Sequence, residues 1–592
     1  MEEMKDRVKK EDLTIAIGKF VLRIEKQQEE VEKLNYFVRI IDFGALSSSN
    51  TQIVYGRNGT GKSHLFKAFY EYCESNFEHN KVLPIYVDCR NLHLGNDFKD
   101  ININQLILRF YRYFIRKIID ELKAFSTKVI TPSLSSNIYL GESGERKKKI
   151  DESIDKLYSI ISLGTIEESI NEYSRKVESQ KVDSKSIGGK IGGSGRLSTL
   201  ASEAKLEGEF GLAGEWTRAI KQDIQLIYNG LAVIEYDRVR NGLENIIKQS
   251  GAKAIILLID EWSSVNFDIQ PYLAEMINKT LGHSDKIFFK LATIKYFTKT
   301  STKVDSQQWI GFQLGVDIHI LADLDDLLNY DIDKQGVKDF LTSVAYKHTC
   351  LELPEISDYT VREFENYITN ELFEDPSVYF ELIRASEGNP RDFLSIFSSC
   401  CSGGKLVREK KISQKQVIEH AIKYFTETKS HTISFGYKAA NDLFNQIFDK
   451  VVKNGQKLFF VSAKNGDNRL LKDLWHYRFI HLVSPSYIVV DENRTPHEYI
   501  VYSMDYGKLI SLKAHKTGQN IVNAMIESLD TTISEIIPEA RDSLSQVITE
   551  LGGEPLKELG KTAAADKGVE IADMTNIKQL ETYLVDDILS NN

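Results

Sequence analysis

The chain has 592 residues, of which 42% are hydrophobic, 10% aromatic and 27% charged. This length exceeds what one hydrophobic core can use and predicts roughly three to five folded units. The composition is that of a globular protein and excludes the disordered class. The formal net charge of −10 at pH 7 argues at first sight against a nucleic-acid partner.

Cysteine usage and hydropathy further restrict the class of protein to which the chain could belong. The five cysteines are irregularly spaced and include no CxxC pair, which argues against a disulfide framework or a structural zinc. The first residues, MEEMKDRVKKEDL, contain no apolar signal-peptide region. No run approaches the ~18 apolar residues that a membrane-spanning helix needs. We therefore expect a cytoplasmic protein with no membrane partner.

The acidity is concentrated at the C-terminal end of the chain. Residues 516–592 hold 14 acids against 6 bases. Residues 431–515 hold 11 Lys/Arg against 8 Asp/Glu, together with five histidines that show no metal-ligand spacing. The overall charge therefore neither supports nor excludes DNA as a partner.

The N-terminal part of the chain predicts the beginning of an α/β core. Residues 1–48 predict a helical segment with heptad-like apolar spacing. A short β-type run at 51–56 leads into a glycine-rich turn and a helical pattern, and 82–90 is a second strand candidate. We assign 49–125 to the first half of the core.

Two later apolar runs predict the rest of this core. The runs at 251–260 and 286–294 are typical of strands buried on both faces of a parallel sheet. Strands that alternate with helices predict a doubly wound parallel sheet. We assign 217–340 to the second half of the core.

The two halves are separated by more chain than this fold requires, because a βαβ unit takes only about 30 residues. We expect residues 126–216 to form an inserted α/β-hairpin subdomain. Residues 186–215 contain eight glycines, and apolar and polar residues alternate in AKLEGEFGLAG, which predicts a β-hairpin. A flexible linker is the alternative, since linkers are also rich in glycine and serine.

The C-terminal part reads as three further units. Residues 341–430 have helical patterns throughout, and residues 431–515 combine two or three helices with a hairpin-like pair of strands. Residues 516–592 form an acidic tail with helical apolar spacing and one aromatic residue, Tyr583. This helical tail provides either a face for a partner or a segment that packs back on the chain.

A glycine-rich motif of the form GxxxxGK[ST] lies between a predicted strand and a predicted helix, the context that a phosphate-binding loop requires. Its glycines let backbone N–H groups converge on phosphate oxygens at a helix N-terminus. Lys62 would reach the β- and γ-phosphates, and the Ser63 hydroxyl would bind Mg²⁺. The candidate ATP-binding residues are Gly56, Arg57, Asn58, Gly59, Thr60, Gly61, Lys62, Ser63 and His64.

Two carboxylates end the buried strand IILLID. Asp260 would hold Mg²⁺ together with Ser63, and Glu261 would act as the general base that polarises the attacking water. A solvated turn is the alternative reading of these acids. The sequence TKVD at 302–305 fits a guanine-specificity motif, but it does not lie at a strand end, which favours ATP over GTP.

The order of the motifs GRNGTGKS, IILLIDEW, LATI and EGNPRDFL resembles AAA+ ATPases of the replication-initiator type, the origin-recognition-like clade that adjoins the STAND NTPases. The resemblance spans roughly residues 40–515 without the insertion. It implies a P-loop AAA+ core followed by a helical lid at 341–430 and a winged-helix domain at 431–515. It also implies that Thr293 is sensor 1, which aligns the nucleophilic water, and that Arg391 is sensor 2, which reaches the γ-phosphate from the lid.

The chain departs from this family in one respect. No arginine occurs between Arg240 and Arg362, where an AAA+ ring normally presents an arginine finger, and only lysines such as Lys279, Lys295 and Lys299 are available. A lysine lacks the planar guanidinium fork. We therefore expect hydrolysis that is slow, assisted by a lysine, or completed by another protein.

The candidate winged helix carries the residues for a DNA contact. Apolar residues of a helix at 469–478 would face a core and leave Lys472, His476 and Arg478 outside, while Arg494 would lie at the wing tip. Such side chains contact phosphates and position a duplex without reading its sequence. Docking of a protein is the alternative role of this module.

These features predict an ATP-hydrolysing protein that couples its nucleotide state to DNA engagement or remodelling. The alternative is a nucleotide-gated regulatory switch or scaffold that recruits an effector, for example in bacterial antiviral defence against phage, by analogy alone. The expected ligands are ATP and Mg²⁺. The expected partners are double-stranded DNA at the winged helix, and further copies of the chain or an effector at 126–216 or 516–592.

Overall fold

The structure is a computed structural model. It describes residues 8–20, 33–91, 103–130, 140–160, 236–303, 309–402, 411–431, 438–453, 457–490, 495–511 and 584–590.

In the described part of the chain, ten strands form three sheets. They are β1 (Gln52–Tyr55), β2 (Val82–Asp88), β3 (Ala254–Asp260), β4 (Ile287–Thr293), β5 (Ser301–Lys303), β6 (Trp309–Gly311), β7 (His319–Asp323), β8 (Leu458–Ser462), β9 (Ile480–Val490) and β10 (Pro496–Met504). The largest sheet has five strands in the order β2-β3-β4-β1-β7, and all of its pairings are parallel. The prediction of a parallel α/β sheet is confirmed.

Among the described residues, α-helices flank this sheet and form most of the structure outside it. They are α1 (Lys10–Gly18), α2 (Phe43–Leu46), α3 (Lys62–Ser75), α4 (Phe77–Asn80), α5 (Ile103–Phe125), α6 (Leu140–Ile160), α7 (Tyr236–Ser250), α8 (Gln270–Ile277), α9 (Leu324–Leu327), α10 (Lys334–Glu352), α11 (Val361–Leu372), α12 (Pro376–Ala385), α13 (Pro390–Cys401), α14 (Gln414–Lys423), α15 (Lys438–Lys453), α16 (Arg469–His476), α17 (Tyr506–Ile510) and α18 (Asp586–Ser590). Within the described residues, no helix is long and apolar enough to cross a membrane.

The parallel sheet brings the motif residues to one edge. β3 is apolar and buried along nearly its whole length, as expected for a central strand with helices on both faces. The carboxyl ends of parallel strands share an edge, and ligands bind beyond that edge. Tyr55 pairs with Thr293 of the neighbouring strand β4, and Asp88 pairs with Asp260 further along the sheet, so the glycine-rich loop after β1 starts at the same sheet edge as these acidic and hydroxyl side chains.

Helix α6 completes the core of this sheet. Its buried side chains Ile150, Ile154 and Leu157 join the same hydrophobic cluster as strands β2 and β3. These residues fall within 126–216, the range that the sequence assigns to an inserted subdomain. The glycine-rich stretch 186–215, for which a hairpin is predicted, lies outside the described residues.

The N-terminal segment divides between two bodies. α1 packs against α10 and α13, and its residues Leu13 and Ile17 belong to the core of the helical cluster α10–α14. Phe43 and Leu46, in contrast, pack with α3 against the parallel sheet. The chain around residues 36–41 therefore lies between the helical cluster and the sheet.

The C-terminal unit, residues 438–511, has its own antiparallel sheet in the order β8-β10-β9. α15 and α16 cover this sheet around the buried rings of Phe444, Trp475 and Phe479. The last helix, α18, returns to this unit, where Val585 N–H donates to the carbonyl of Phe460. For residues 584–590 the acidic tail thus packs back on its own chain.

We expect Leu157→Ala to lower the free energy of unfolding by about 2–5 kcal/mol, because a buried leucine would leave a cavity. Leu157 is fully buried, and a Cβ on Gly242 of α7 would lie only 2.5 Å from its Cδ2 atom. Urea unfolding measures the change. The matched control is Lys156→Ala on the exposed side of α6. Equal stabilities of the two variants would contradict the assignment of α6 to the core of the sheet.

Candidate nucleotide site

The loop after β1 has the backbone of a phosphate-binding loop. Gly59 and Gly61 have positive φ angles of 95° and 100°, which side chains other than glycine rarely tolerate. A Cβ on Gly59 would lie 2.5 Å from Asn389 Oδ1 and 2.9 Å from the Cβ of Arg391. α3 begins directly after the loop at Lys62, so its N-terminal N–H groups face the same space.

Lys62, the first residue of α3, extends its side chain back along the loop and forms no ion pair among the described residues. It is buried, and its Nζ donates to the carbonyls of Gly56 at 2.6 Å and Arg57 at 3.1 Å. Burial lowers the pKa of Lys62, and the carboxylates of Glu261 and Asp260 oppose that shift. A bound phosphate would supply the missing negative charge, so the loop fits this group.

The two acids at the end of β3 differ in their surroundings. Asp260 is fully buried and accepts from the Tyr86 hydroxyl at 2.6 Å and from the Glu261 N–H at 2.9 Å. Glu261 has a left-handed φ of 55°. Burial and then the charge of Asp260 raise the pKa of Glu261, which favours proton acceptance near neutral pH. Carboxylate and hydroxyl oxygens are suitable Mg²⁺ ligands, so Asp260 and Ser63 fit this ion.

Thr293 lies at the same sheet edge, and its hydroxyl is engaged locally. Its Oγ1 is 2.6 Å from Thr298 Oγ1, while Thr298 donates to the carbonyl of Ile294. Since Thr298 has a single hydroxyl proton, Thr293 is the donor in this pair. Its assignment as sensor 1 stays a prediction.

Arg391 approaches the loop from the first turn of α13. Asn389 caps this helix by accepting from the N–H groups of Arg391 and Asp392, and its Nδ2 donates to the carbonyl of Asn58 at 3.0 Å. The cap thereby fixes α13 against the loop. Its role as sensor 2 stays a prediction.

One cavity of about 110 Å³ joins several of the groups described so far. The glycine-rich loop, Glu261 and Arg391 line one part of it. The N-terminal segment around Tyr36 and the apolar residues of α10 and α13 line the remainder. Of the predicted site residues, the structure brings together in this cavity Asn58, Gly59, Thr60, Gly61, Lys62, Ser63, His64, Glu261 and Arg391. Gly56, Arg57, Asp260 and Thr293 lie outside its lining.

The cavity includes residues that sequence reasoning missed. The ring of Tyr36 lies 4.6 Å from that of His64 and 5.2 Å from that of His348, and among the described residues the buried Tyr36 hydroxyl has no hydrogen-bond partner. Burial lowers the pKa of His64 to about 4 and that of His348 to about 3, so both are neutral at pH 7. Uncharged rings beside a free hydroxyl suit a purine base. No local motif marks Tyr36 or His348.

Arg57, although part of the glycine-rich motif, points away from the cavity. Its Nε donates to Asp325 at 2.7 Å, and its Nη1 donates to the carbonyls of Trp475 and Ile480, both at 3.2 Å. Its guanidinium also lies over the Trp475 ring. The phosphate loop is therefore bound directly to the C-terminal unit.

The prediction that Arg478 stays outside the packed face of 469–478 is wrong, and His476, predicted to lie outside, is half-buried. Arg478 is buried and ion-paired with Asp392, and the ring of His476 packs at 4.5 Å on that of Phe297. The apolar pattern of α16 shows one packed face, but the segment after β4 and the phosphate loop cover a second side of this helix.

The other candidate DNA contacts have a mixed outcome. Lys472 is partly exposed, pairs with Asp467 at 2.8 Å and lies over the Tyr296 ring. Arg494 lies outside the described residues.

The parallel sheet with a glycine-rich loop after β1 defines an α/β P-loop fold. No protein-family model matches the sequence, and a search of curated proteins finds no relative. Similar solved structures include the ORC1 protein of Aeropyrum pernix in complex with DNA, at 10% identity and a TM-score of 0.28, covering 87% of this chain and 98% of that chain. They also include the Aeropyrum pernix ORC2 protein with ADPNP and ADP, at 10% identity and a TM-score of 0.27, covering 86% and 98%.

The free energy of unfolding should fall as the pH falls from about 4 to 2, because the contact between the helical cluster and the C-terminal unit weakens. Burial disfavours the ionised form of Asp392, yet Arg478 and Lys429 hold its pKa at about 2, below the value of about 3.9 in an unfolded chain. The unfolded state therefore binds the proton first, and the stabilisation, full above pH ~4, is lost below it. Unfolding free energies measured across this range check the expectation.

Asp392→Asn should lower stability at pH 7 by on the order of 3 kcal/mol, since it leaves the buried Arg478 without its ion-pair partner and leaves Lys429 with Asp505 alone. It should also flatten the acid dependence relative to wild type. The exposed Asp285→Asn change is the control and should alter neither. An Asp392→Asn protein with the stability of wild type would refute the role of this carboxylate.

Proposed function

We propose that this chain binds ATP with Mg²⁺ and hydrolyses it as a replication-initiator-like AAA+ protein, coupling nucleotide state to DNA engagement or remodelling. The observation that carries the proposal is the single cavity lined by the glycine-rich loop, Glu261 and Arg391. It joins an anion-binding loop, a carboxylate with a raised pKa and a cation from a separate helical body.

Each group has a role in this reaction. N–H groups of the loop and the Lys62 amine bind the phosphates, and Ser63 and Asp260 would hold Mg²⁺. Bound Mg²⁺ would neutralise charge on the phosphate oxygens. Glu261 accepts a proton from the attacking water, which its raised pKa favours. Arg391 would sense the γ-phosphate from the helical lid, α10–α14.

Hydrolysis by the isolated chain is expected to be slow. The three lysines named above as examples of possible replacements for an arginine finger are engaged within the chain. Lys279 pairs with Glu275 and Lys295 with Asp323, while Lys299 lies over the Phe267 ring. An arginine finger contributes about 10³-fold or more in other P-loop enzymes. A group from a partner would supply the remaining stabilisation.

A regulatory switch is the second candidate function, and the placement of α16 favours it. This helix, the predicted DNA-recognition helix of a winged-helix domain, is packed against the segment after β4 through the rings of Tyr296 and Phe297. Its neighbour Arg478 contacts the phosphate loop. A helix held in this way suits a unit that is released when nucleotide leaves, with DNA or an effector as the partner after release.

Lys62→Ala should abolish ATP binding, because the buried amine is the main cation of the loop. Glu261→Gln should retain binding and lower turnover by about 10²-fold or more, since it removes the proton acceptor. Equilibrium binding of a fluorescent ATP analogue and phosphate release measure the two effects. Lys248→Ala, on the exposed side of α7, is the control. Full turnover by Glu261→Gln would sink the assignment of the base.

Duplex DNA should bind more weakly as salt rises from about 50 to 200 mM, because phosphate contacts release counterions. Arg494→Ala should reduce the salt slope by about one, whereas Lys248→Ala should not. Fluorescence anisotropy with a labelled duplex, using Glu261→Gln with and without ATP, measures both. If the duplex neither binds this variant in either state nor changes the turnover of wild type, the DNA function fails and the switch remains.

A further inference from the structure

We propose that Arg478 is a positioning residue for the phosphate loop, through which the C-terminal unit sets the affinity for nucleotide. The inference rests on the proposed ATP site. It concerns the outer side of the loop, where Arg478 donates to the carbonyl of Asn58 at 2.9 Å.

The orientation of one peptide group carries the argument. The Asn58 carbonyl accepts from Arg478 Nη1 and from Asn389 Nδ2, both of which lie outside the loop. In a planar trans peptide the C=O and N–H groups point in opposite directions. Holding the Asn58 oxygen outward therefore turns the Gly59 N–H away from Arg478. Gly59 lines the cavity, so this N–H is available to a phosphate.

Arg478 is held in an uncommon conformation that permits this contact. Its φ of 62° lies in the left-handed region, which is unfavourable for a non-glycine residue. Its guanidinium is buried and donates from Nε and Nη2 to the two oxygens of Asp392, at 3.2 and 3.1 Å. The third nitrogen of the fork is thereby directed at Asn58. One side chain thus joins the C-terminal unit, α13 and the phosphate loop.

A second arginine makes the connection in the opposite direction. Arg57 leaves the loop and donates to the carbonyls of Trp475 and Ile480 in the C-terminal unit, and its Nη2 lies 3.2 Å from His481 Nδ1. The loop and the residues 475–481 therefore hold each other from both sides. The conformation of the loop is therefore coupled to the docking of the C-terminal unit, so that a change in one shifts the equilibrium of the other.

Thermodynamic linkage determines whether nucleotide strengthens or weakens the docking of the C-terminal unit. The docked unit prepares the Gly59 N–H for phosphate, so nucleotide binds the docked form more tightly than the undocked form. By reciprocity, nucleotide must strengthen docking by the same factor. Coupling of this kind typically changes affinity by about 5- to 150-fold.

The first test compares Arg478→Lys with wild type. A lysine keeps a positive charge beside Asp392, but its single ammonium cannot serve both Asp392 and Asn58 as the planar fork does. We expect the Kd for an ATP analogue with Mg²⁺ to rise about tenfold, while the melting temperature without nucleotide stays close to that of wild type. Arg469→Lys is the matched control, because Arg469 lies in the same unit and contacts Asp473 and Phe297 but not the loop.

The second test measures how nucleotide changes the docking of the C-terminal unit. Hydrogen exchange of the backbone amides in 475–481 should slow about tenfold on addition of ATP to wild-type protein. Arg478→Lys should lose most of this protection, which a purely structural role would not predict. Should that variant fail to fold, Arg57→Lys removes the reciprocal contacts and is measured in the same way.

The outcomes separate this inference from the proposed function. If wild type binds ATP, Lys62→Ala does not, and Arg478→Lys binds as wild type does, the positioning role is refuted and the ATP site stands. ATP-insensitive exchange at 475–481 in wild type has the same meaning. If wild type fails to bind ATP, the proposed function is refuted and this inference with it.

Discussion

The burial of one ionised carboxylate holds the three parts of this molecule together. Asp392, in the first turn of α13, is almost fully buried and accepts from Arg478, from Lys429 and from the Tyr424 hydroxyl. The same Lys429 also pairs with Asp505 of the C-terminal unit. Buried ion pairs gain little net free energy over apolar packing, yet removal of one member leaves a costly unpaired charge. The network therefore specifies how the bodies fit, and the geometry of the phosphate loop follows from that fit.

Parts of the fold and of the site could be predicted because their signals are local. A glycine-rich loop needs particular residues at fixed spacing, and a buried parallel strand needs a continuous apolar run; both patterns are legible without knowledge of the remaining chain. Lys62, Ser63 and Glu261 lie together for that reason. The helical content of the cluster α10–α14 follows in the same way from apolar periodicity.

The remainder depends on contacts between distant segments, which periodicity does not encode. Tyr36 and His348 meet across the cavity because α1 packs with α10 while Phe43 packs with α3. The sequence predicts Arg478 as an exposed cation beside the apolar face of α16. It is buried because it contacts Asp392 and the phosphate loop. An apolar pattern on one side of a helix predicts that this side is packed, but it does not show whether polar contacts cover a second side. The glycine-rich insertion and most of the acidic tail lie outside the described residues, so their predictions stand as predictions.

The neutral histidines that line part of the cavity have a consequence for the orientation of a bound ligand. Lys62 and Arg391 place positive charge at one end, whereas burial keeps His64 and His348 uncharged beside the hydroxyl of Tyr36. The electrostatic potential therefore falls along the length of the cavity instead of being uniform. A ligand with all of its negative charge at one end has a single favourable orientation there, and the reversed orientation would place its anionic end against uncharged rings.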